Sequence, residues 1–161
     1  MASHWRQRVG SDLPGSRRLI ETEQLTEAKC LRLLASIRVG RIALTRHALP
    51  VVIPVSFALE GRDIVIPTAA NSLLAASGDD VVVAFETGEL DPDTGSGWSV
   101  QVTGTMQKII ESKAIQRARE LRPASWARDD SHLFVRIAPG LVSGSRVEHR
   151  PPRLAVQPAL A

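Results

Sequence analysis

The residues able to do chemistry are few: four histidines, one cysteine and a close pair of aspartates. His4, His47, His132 and His149 are scattered between the tails and strand ends, and none has a serine or cysteine beside it in a nucleophile pattern. His47 falls in a turn, where solvation is the plain reading and haem ligation or proton transfer the weaker one. The single cysteine, Cys30, excludes an intrachain disulfide and supports no zinc site. On the apolar side of a helix it reads as a small buried hydrophobe rather than a reactive thiol. Asp91-Pro92-Asp93 opens a turn-rich loop whose spacing is not that of a calcium-binding EF-hand. These residues point to no catalytic set and to no metal site. What remains is a candidate anion site: Thr68 and Ser72 bracket the start of a short helix that follows a strand, where hydroxyls and free backbone N–H groups can receive an anion, although most helices so placed bind nothing.

The elements that must position those hydroxyls are mostly strands. Residues 39–68 read as three consecutive strands, with Ile42 and Leu44, then Val51 to Leu59, then Ile64 and Ile66 alternating with their neighbours. The middle strand is apolar on both faces and is expected to be buried on both sides, with Pro54 marking a bulge or break in pairing. Val81–Glu86 is a fourth strand. In 98–109, Trp98, Val100, Val102 and Met106 share one face, while Ser99, Gln101, Thr103 and Thr105 make the other wholly polar. Residues 132–138 and 141–148 read as a hairpin around Pro139-Gly140.

Helices flank these strands. Thr26 caps the first, whose stripe is Ala28, Leu31, Leu34 and Ala35, with Glu27 in the first turn. Thr68–Gly78 holds a short second helix with Gly78 as its candidate C-cap. Residues 111–122 form a third, with Ile110, Ala114, Ile115, Ala118 and Leu121 inward and Pro123 as its stop.

Length fits one domain, 19–149, between tails 1–18 and 150–161 that are polar or proline-rich and expected to be disordered. No run of apolar residues is long enough to cross a membrane and no signal peptide is evident, so a soluble, cytoplasmic protein is expected. The net charge of +3 resides in the tails. Residues 1–18 carry four arginines against one aspartate and 150–161 carry two arginines, leaving 14 basic and 16 acidic residues between them. A body of net −2 with no tyrosine and few other aromatics argues against nucleic-acid binding.

The segments VGRIALT, PVVIPVSFAL, a strand ending in Thr68, VVVAFE, GWSVQVTG and RIAPGLVSG stand in an order that resembles the pyridoxamine 5′-phosphate oxidase-like flavin-binding split barrels. The likeness spans roughly residues 24–149 and is nearest the actinobacterial branch akin to the nitroimidazole-resistance proteins. It implies a mainly β (α+β) fold, a six-stranded antiparallel split barrel with short flanking helices, assembled as a homodimer. It also implies FMN, or a deazaflavin in some members, with its phosphate near Thr68 and Ser72. The ring would lie against Pro54, Val55, Ser56 and Phe57, and Trp98 and Ser99 of the partner subunit would approach its other side. Flavin-binding relatives commonly carry a basic residue just before the position of Thr68 and a lysine just after that of Ser72. Here those places hold Pro67 and Leu73, while Arg41, Arg46 and Arg136 are the arginines that could compensate. The implied function is oxidoreduction of a small electrophile. The alternative is a ligand-carrying or sensing dimer with weakened or lost flavin binding.

Overall fold

The computed structural model describes residues 19–121 and 133–150. The two tails (Arg150 apart), His4, His132 and Pro123 lie outside them. In chain order the elements are β1 (Leu19–Gln24), α1 (Glu27–Ser36), β2 (Val39–Arg46), β3 (Leu49–Ser56), β4 (Ala58–Glu60) and β5 (Asp63–Thr68). They continue with α2 (Leu73–Ala76), β6 (Val81–Leu90), β7 (Gly97–Lys108), α3 (Ser112–Glu120) and β8 (Leu133–Arg150). All strands join one antiparallel sheet of order β3-β2-β6-β7-β8-β5-β4, with β1 added along β8. Its two end strands, β3 and β4, are separated in sequence by Phe57 alone. Two edges joined by one residue must meet, so the sheet curls into a split barrel.

The barrel interior follows from period-two alternation. Ile42, Phe85 and Val102 are cross-strand partners and all are fully buried. Val100, Val102 and Met106 face in, whereas Gln101 and Thr103 are exposed. α1 packs against one end of the barrel. Thr26 caps it by accepting from the Lys29 N–H at 3.4 Å, and Cys30 and Leu34, four residues apart, are buried. Ala28 and Ala35 are exposed, so the buried stripe is rotated toward Cys30. A side chain at Gly144 would come within 2.8 Å of the Cys30 sulfur, so glycine there is what lets α1 approach β8.

Several expectations are corrected. There are eight strands rather than six, because β1 is added and 49–60 divides at Phe57. The middle stretch of 39–68 divides: β3 pairs with β2 and β4 with β5, whose other edge pairs with β8. β3 is an end strand buried on one face only, with Leu49 and Val52 exposed. Pro54 causes no bulge, because its register with Arg41 is unbroken. On an end strand the missing N–H can face the unpaired side, and Pro50, four residues earlier, has the same parity. Residues 133–150 are one strand, not a hairpin. Thr103 pairs with Leu141 and Gly104 with Pro139, so Gly140 is an extra residue and Pro139-Gly140 makes a bulge. α2 is closed by Ser77 rather than Gly78. Ile110 lies before α3 and is 85% exposed.

Outside the barrel, Glu60 joins three elements by accepting from Arg117 of α3 at 2.8 Å and Arg136 of β8 at 2.7 Å. The Arg117 hydrogen bond, with Arg136 beyond it, holds the Glu60 carboxyl below its ordinary range. A depressed carboxyl contributes stability that is complete at neutral pH and is lost as pH falls through and below the carboxylate range. The melting temperature should therefore drop more steeply between about pH 5 and pH 3 for the native protein than for Glu60→Gln. Parallel curves would show that the pair is not coupled to folding.

Candidate functional site

The residues singled out in the sequence gather in two places. At the end of β5, Thr68 is 5% exposed and its hydroxyl lies 2.6 Å from that of Ser72. Ser72 also accepts from the Ala75 N–H at 3.0 Å, which caps α2. With four residues α2 carries little dipole, so this place offers hydroxyls and not a helix end. β5 runs three residues past Val65, the last position paired with β4. There β3 passes against it.

Ser56 is the residue that sequence reasoning undervalued. It is 6% exposed, and its buried hydroxyl has no hydrogen-bond partner. A buried, unpaired hydroxyl is costly to leave unmade and therefore marks a place where a polar ligand fits. Its neighbours contribute differently. Val55 and Phe57 send their side chains into the core, where the Phe57 ring meets Phe85 edge-on at 4.9 Å. Pro54 is exposed on the outer face.

The second place is a cleft of about 400 Å³ along β6, β7 and β8. Trp98 and Ser99 line it, joined by Arg41, Glu86, Glu89 and Ser145. Its floor contains Gly88 and Gly97. A side chain at either would come within 2.4 or 2.2 Å of the neighbouring strand's carbonyl, so only glycine fits and the floor stays low. Thr68, Ser72 and Ser56 are not among the residues lining this cleft.

The arginines do not converge on the hydroxyls. Arg41 lines the cleft and pairs with Glu86 at 3.3 Å. Arg136 is engaged by Glu60 and lies 3.4 Å from Asp63. Arg46 is exposed at the β2–β3 turn, opposite Leu49. The remaining chemical candidates have structural roles. The carboxylate of Asp91 accepts from the backbone N–H groups of Asp93 and Thr94 and from the Thr94 hydroxyl. Those bonds, the one from Asp93 foremost, depress its pKa. Cys30 is fully buried, and burial pushes its thiol up, as an inert cysteine requires. His47 is exposed in the β2–β3 turn. Among the described residues no group of His, Cys, Asp and Glu could hold a metal ion, and no helix is long and apolar enough to cross a membrane.

Comparison with known proteins places this geometry. An uncharacterized protein of Mycobacterium tuberculosis is 38% identical over 145 residues, covering 83% of this chain and 94% of that protein. A candidate pyridoxamine 5′-phosphate oxidase from Corynebacterium glutamicum superposes with a TM-score of 0.69 at 26% identity, over 88% of this chain and 99% of that one. An FAD-binding protein from Mycobacterium smegmatis superposes with a TM-score of 0.60 at 25% identity, over 78% and 98%. The family model described as pyridoxamine 5′-phosphate oxidase matches residues 26–146. With that match running from α1 into β8 and taking in all three described helices, the chain belongs to the pyridoxamine 5′-phosphate oxidase family.

Proposed function

We propose that this protein is a homodimer that binds a flavin between its two subunits and uses it for oxidoreduction of a small electrophile. The observation that carries the reading is the buried, unpartnered hydroxyl of Ser56 on β3, which stands in addition to the hydroxyl pair of Thr68 and Ser72 at the end of β5. The Thr68 and Ser72 hydroxyls fit the phosphate of FMN, and that of Ser56 fits a polar edge of the ring. The FAD-binding relative supports the ligand class.

The need for a second copy rests on the outer face. Val52, Ala43, Ala84, Thr103 and Leu141 are successive cross-strand partners over five strands. Val52 is 61% and Leu141 63% exposed, and Val82 nearby is 69% exposed. A second subunit on this face would cover the apolar row. It would also bring its own Trp98 and Ser99 toward the hydroxyl cluster of the first.

In this reading the bound flavin supplies the hydride chemistry, and the chain binds, orients and excludes water. Thr68 and Ser72 would hold the phosphate end, Ser56 and the β3 backbone would support the ring, and Trp98 and Ser99 would close the far side. The neutral site at Pro67 and Leu73 also favours a second reading, in which the dimer carries or senses a flavin-type ligand without turnover.

The test is the absorbance of the protein after incubation with FMN, FAD or a deazaflavin and removal of free ligand. A band near 450 nm for flavin, or near 420 nm for deazaflavin, is expected at a level rising with added ligand. Light scattering should give a dimer. A monomer at micromolar concentration, or no retained chromophore at any concentration, would sink the proposal. Retained flavin that no reductant and acceptor pair can cycle would select the carrier reading.

A further inference from the structure

Two prolines fall where a ladder between β3 and β5 would otherwise form. β4 and β5 make a hairpin whose two-residue turn, Gly61-Arg62, closes on the pair Glu60–Asp63. In such a hairpin the closing pair exchanges both hydrogen bonds and every second pair does so again, which makes Ala58–Val65 the next. Continued in the same register, the following two would be Ser56–Pro67 and Pro54–Ala69. Each contains a proline and so can form at most one of its two bonds. The other ladders agree with this parity. The turn His47-Ala48, with φ of 48° and 62°, closes β2 on β3 at Arg46–Leu49, so Val51, Ile53 and Val55 bond to β2. Phe57 continues the series by donating to the Arg38 carbonyl at 3.0 Å. Pro54 and Ser56 therefore turn their backbone groups away from β2. Pro67, in unbroken register with Phe134, has its nitrogen on the side away from β8. β3 and β5 lie against each other, yet among the described residues no ladder joins them.

We infer that Pro54 and Pro67 hold this split open, and that the opening leaves Ser56 to a ligand. The hairpin ends at Val65 because both pairs that would extend it are short of a donor. With one proline replaced the other still interrupts the ladder, so both must go for β3 and β5 to zip. A zipped ladder would engage the Ser56 N–H and C=O with residue 67. The split leaves them unzipped, on a residue whose hydroxyl is itself buried and unpartnered. A donor, an acceptor and a hydroxyl on one residue suit a ligand rim that carries an N–H next to a C=O, the amide or imide edge of a heterocycle. The opening follows from the ladder alone, and only the ligand's identity as a flavin rests on the reading above.

The experiment is amide hydrogen exchange, read residue by residue by NMR, on the full native chain and on the double variant Pro54→Val with Pro67→Val. Both positions lie in extended strands whose other edge keeps its partner, and valine suits a strand. In the native protein the Ser56 amide is expected to exchange at least about tenfold faster than that of Phe57. In the double variant it should slow by about tenfold or more, and the new amides at 54 and 67 should be protected with it. A Ser56 amide as slow as that of Phe57 in the native protein, or unchanged in the variant, would overturn the inference. The native comparison decides even where the variant does not fold. FMN and its N3-methyl analogue, which lacks the imide N–H, are then titrated into both proteins by fluorescence. FMN should bind about tenfold more weakly to the double variant, and methylation should cost the native protein about tenfold. Equal binding of FMN by the two folded proteins, or of FMN and its methyl analogue by the native one, would overturn the role given to Ser56. A native protein that binds no FMN sinks the flavin reading, and the exchange comparison still decides the split by itself.

Discussion

Phe85→Ala should cost about 3–5 kcal/mol and leave the protein close to unfolding. Phe85 is fully buried at the centre of the barrel, paired across the sheet with Ile42 and Val102. Its ring meets that of Phe57 at 4.9 Å and 71°, an edge-on geometry worth roughly 0.5–1.5 kcal/mol beyond area burial. Its tip fills the space over Gly40, where a side chain would come within 2.3 Å of the ring. Truncation therefore empties the junction between the β2–β6 wall and the Phe57 link that closes the sheet. The melting temperature should fall by about 10 °C or more, and urea denaturation should show a lower midpoint with an unchanged slope. Phe85→Leu, which keeps most of the volume, should lose less than half as much. A loss under about 1 kcal/mol for the alanine variant would contradict the packing of this core.

The largest gain is expected at the proposed cofactor site. Pro67→Arg with Leu73→Lys should tighten FMN by about 10²–10⁴, because each charge-assisted bond to phosphate is worth roughly 1.5–3 kcal/mol. Leu73 is partly buried against the core, and the aliphatic stem of lysine can cover the same surface while its ammonium reaches out. Pro67 pairs with Phe134 in the intact β5 ladder, so arginine fits the extended backbone. In the native protein the donors proposed for this end are the neutral hydroxyls of Thr68 and Ser72, so binding should be weak. Fluorescence titration of FMN reads both proteins. An unchanged affinity in the double variant, or a native protein that purifies with equimolar FMN, would defeat this account of the phosphate site.

What the sequence revealed, it revealed through local periodicity. The alternation in 98–106 predicts which side chains of β7 are buried, and Thr26 with Glu27 marks the start of α1, as the structure has it. Thr68 and Ser72 are four residues apart, so their meeting is also legible. Signals with two meanings failed. Pro139-Gly140 suits a turn or a bulge, and only the distant partner Thr103-Gly104 decides between them. An apolar β3 reads as buried on both faces, yet one of its faces is open in this chain. The orphaned hydroxyl of Ser56, the capture of Arg136 by Glu60 and the joining of Arg41, Ser145 and Trp98 in one cleft all depend on pairings between remote segments. No window of sequence contains both sides of those contacts.

The place of β8 in the sheet has a consequence for how this protein is made. It follows every other described strand in the chain, yet β7 pairs along nearly all of it, while β5 and β1 pair with its opposite ends. During synthesis β1 and β5 must wait with open edges until β8 has left the ribosome, because no earlier strand can take its place. Such long-range pairing slows closure and prolongs the exposure of apolar strands to other chains. The nascent protein thus passes through its most aggregation-prone stage just before the barrel shuts. Chaperone demand should be concentrated in that interval, after β7 has emerged and before β8 zips the sheet together.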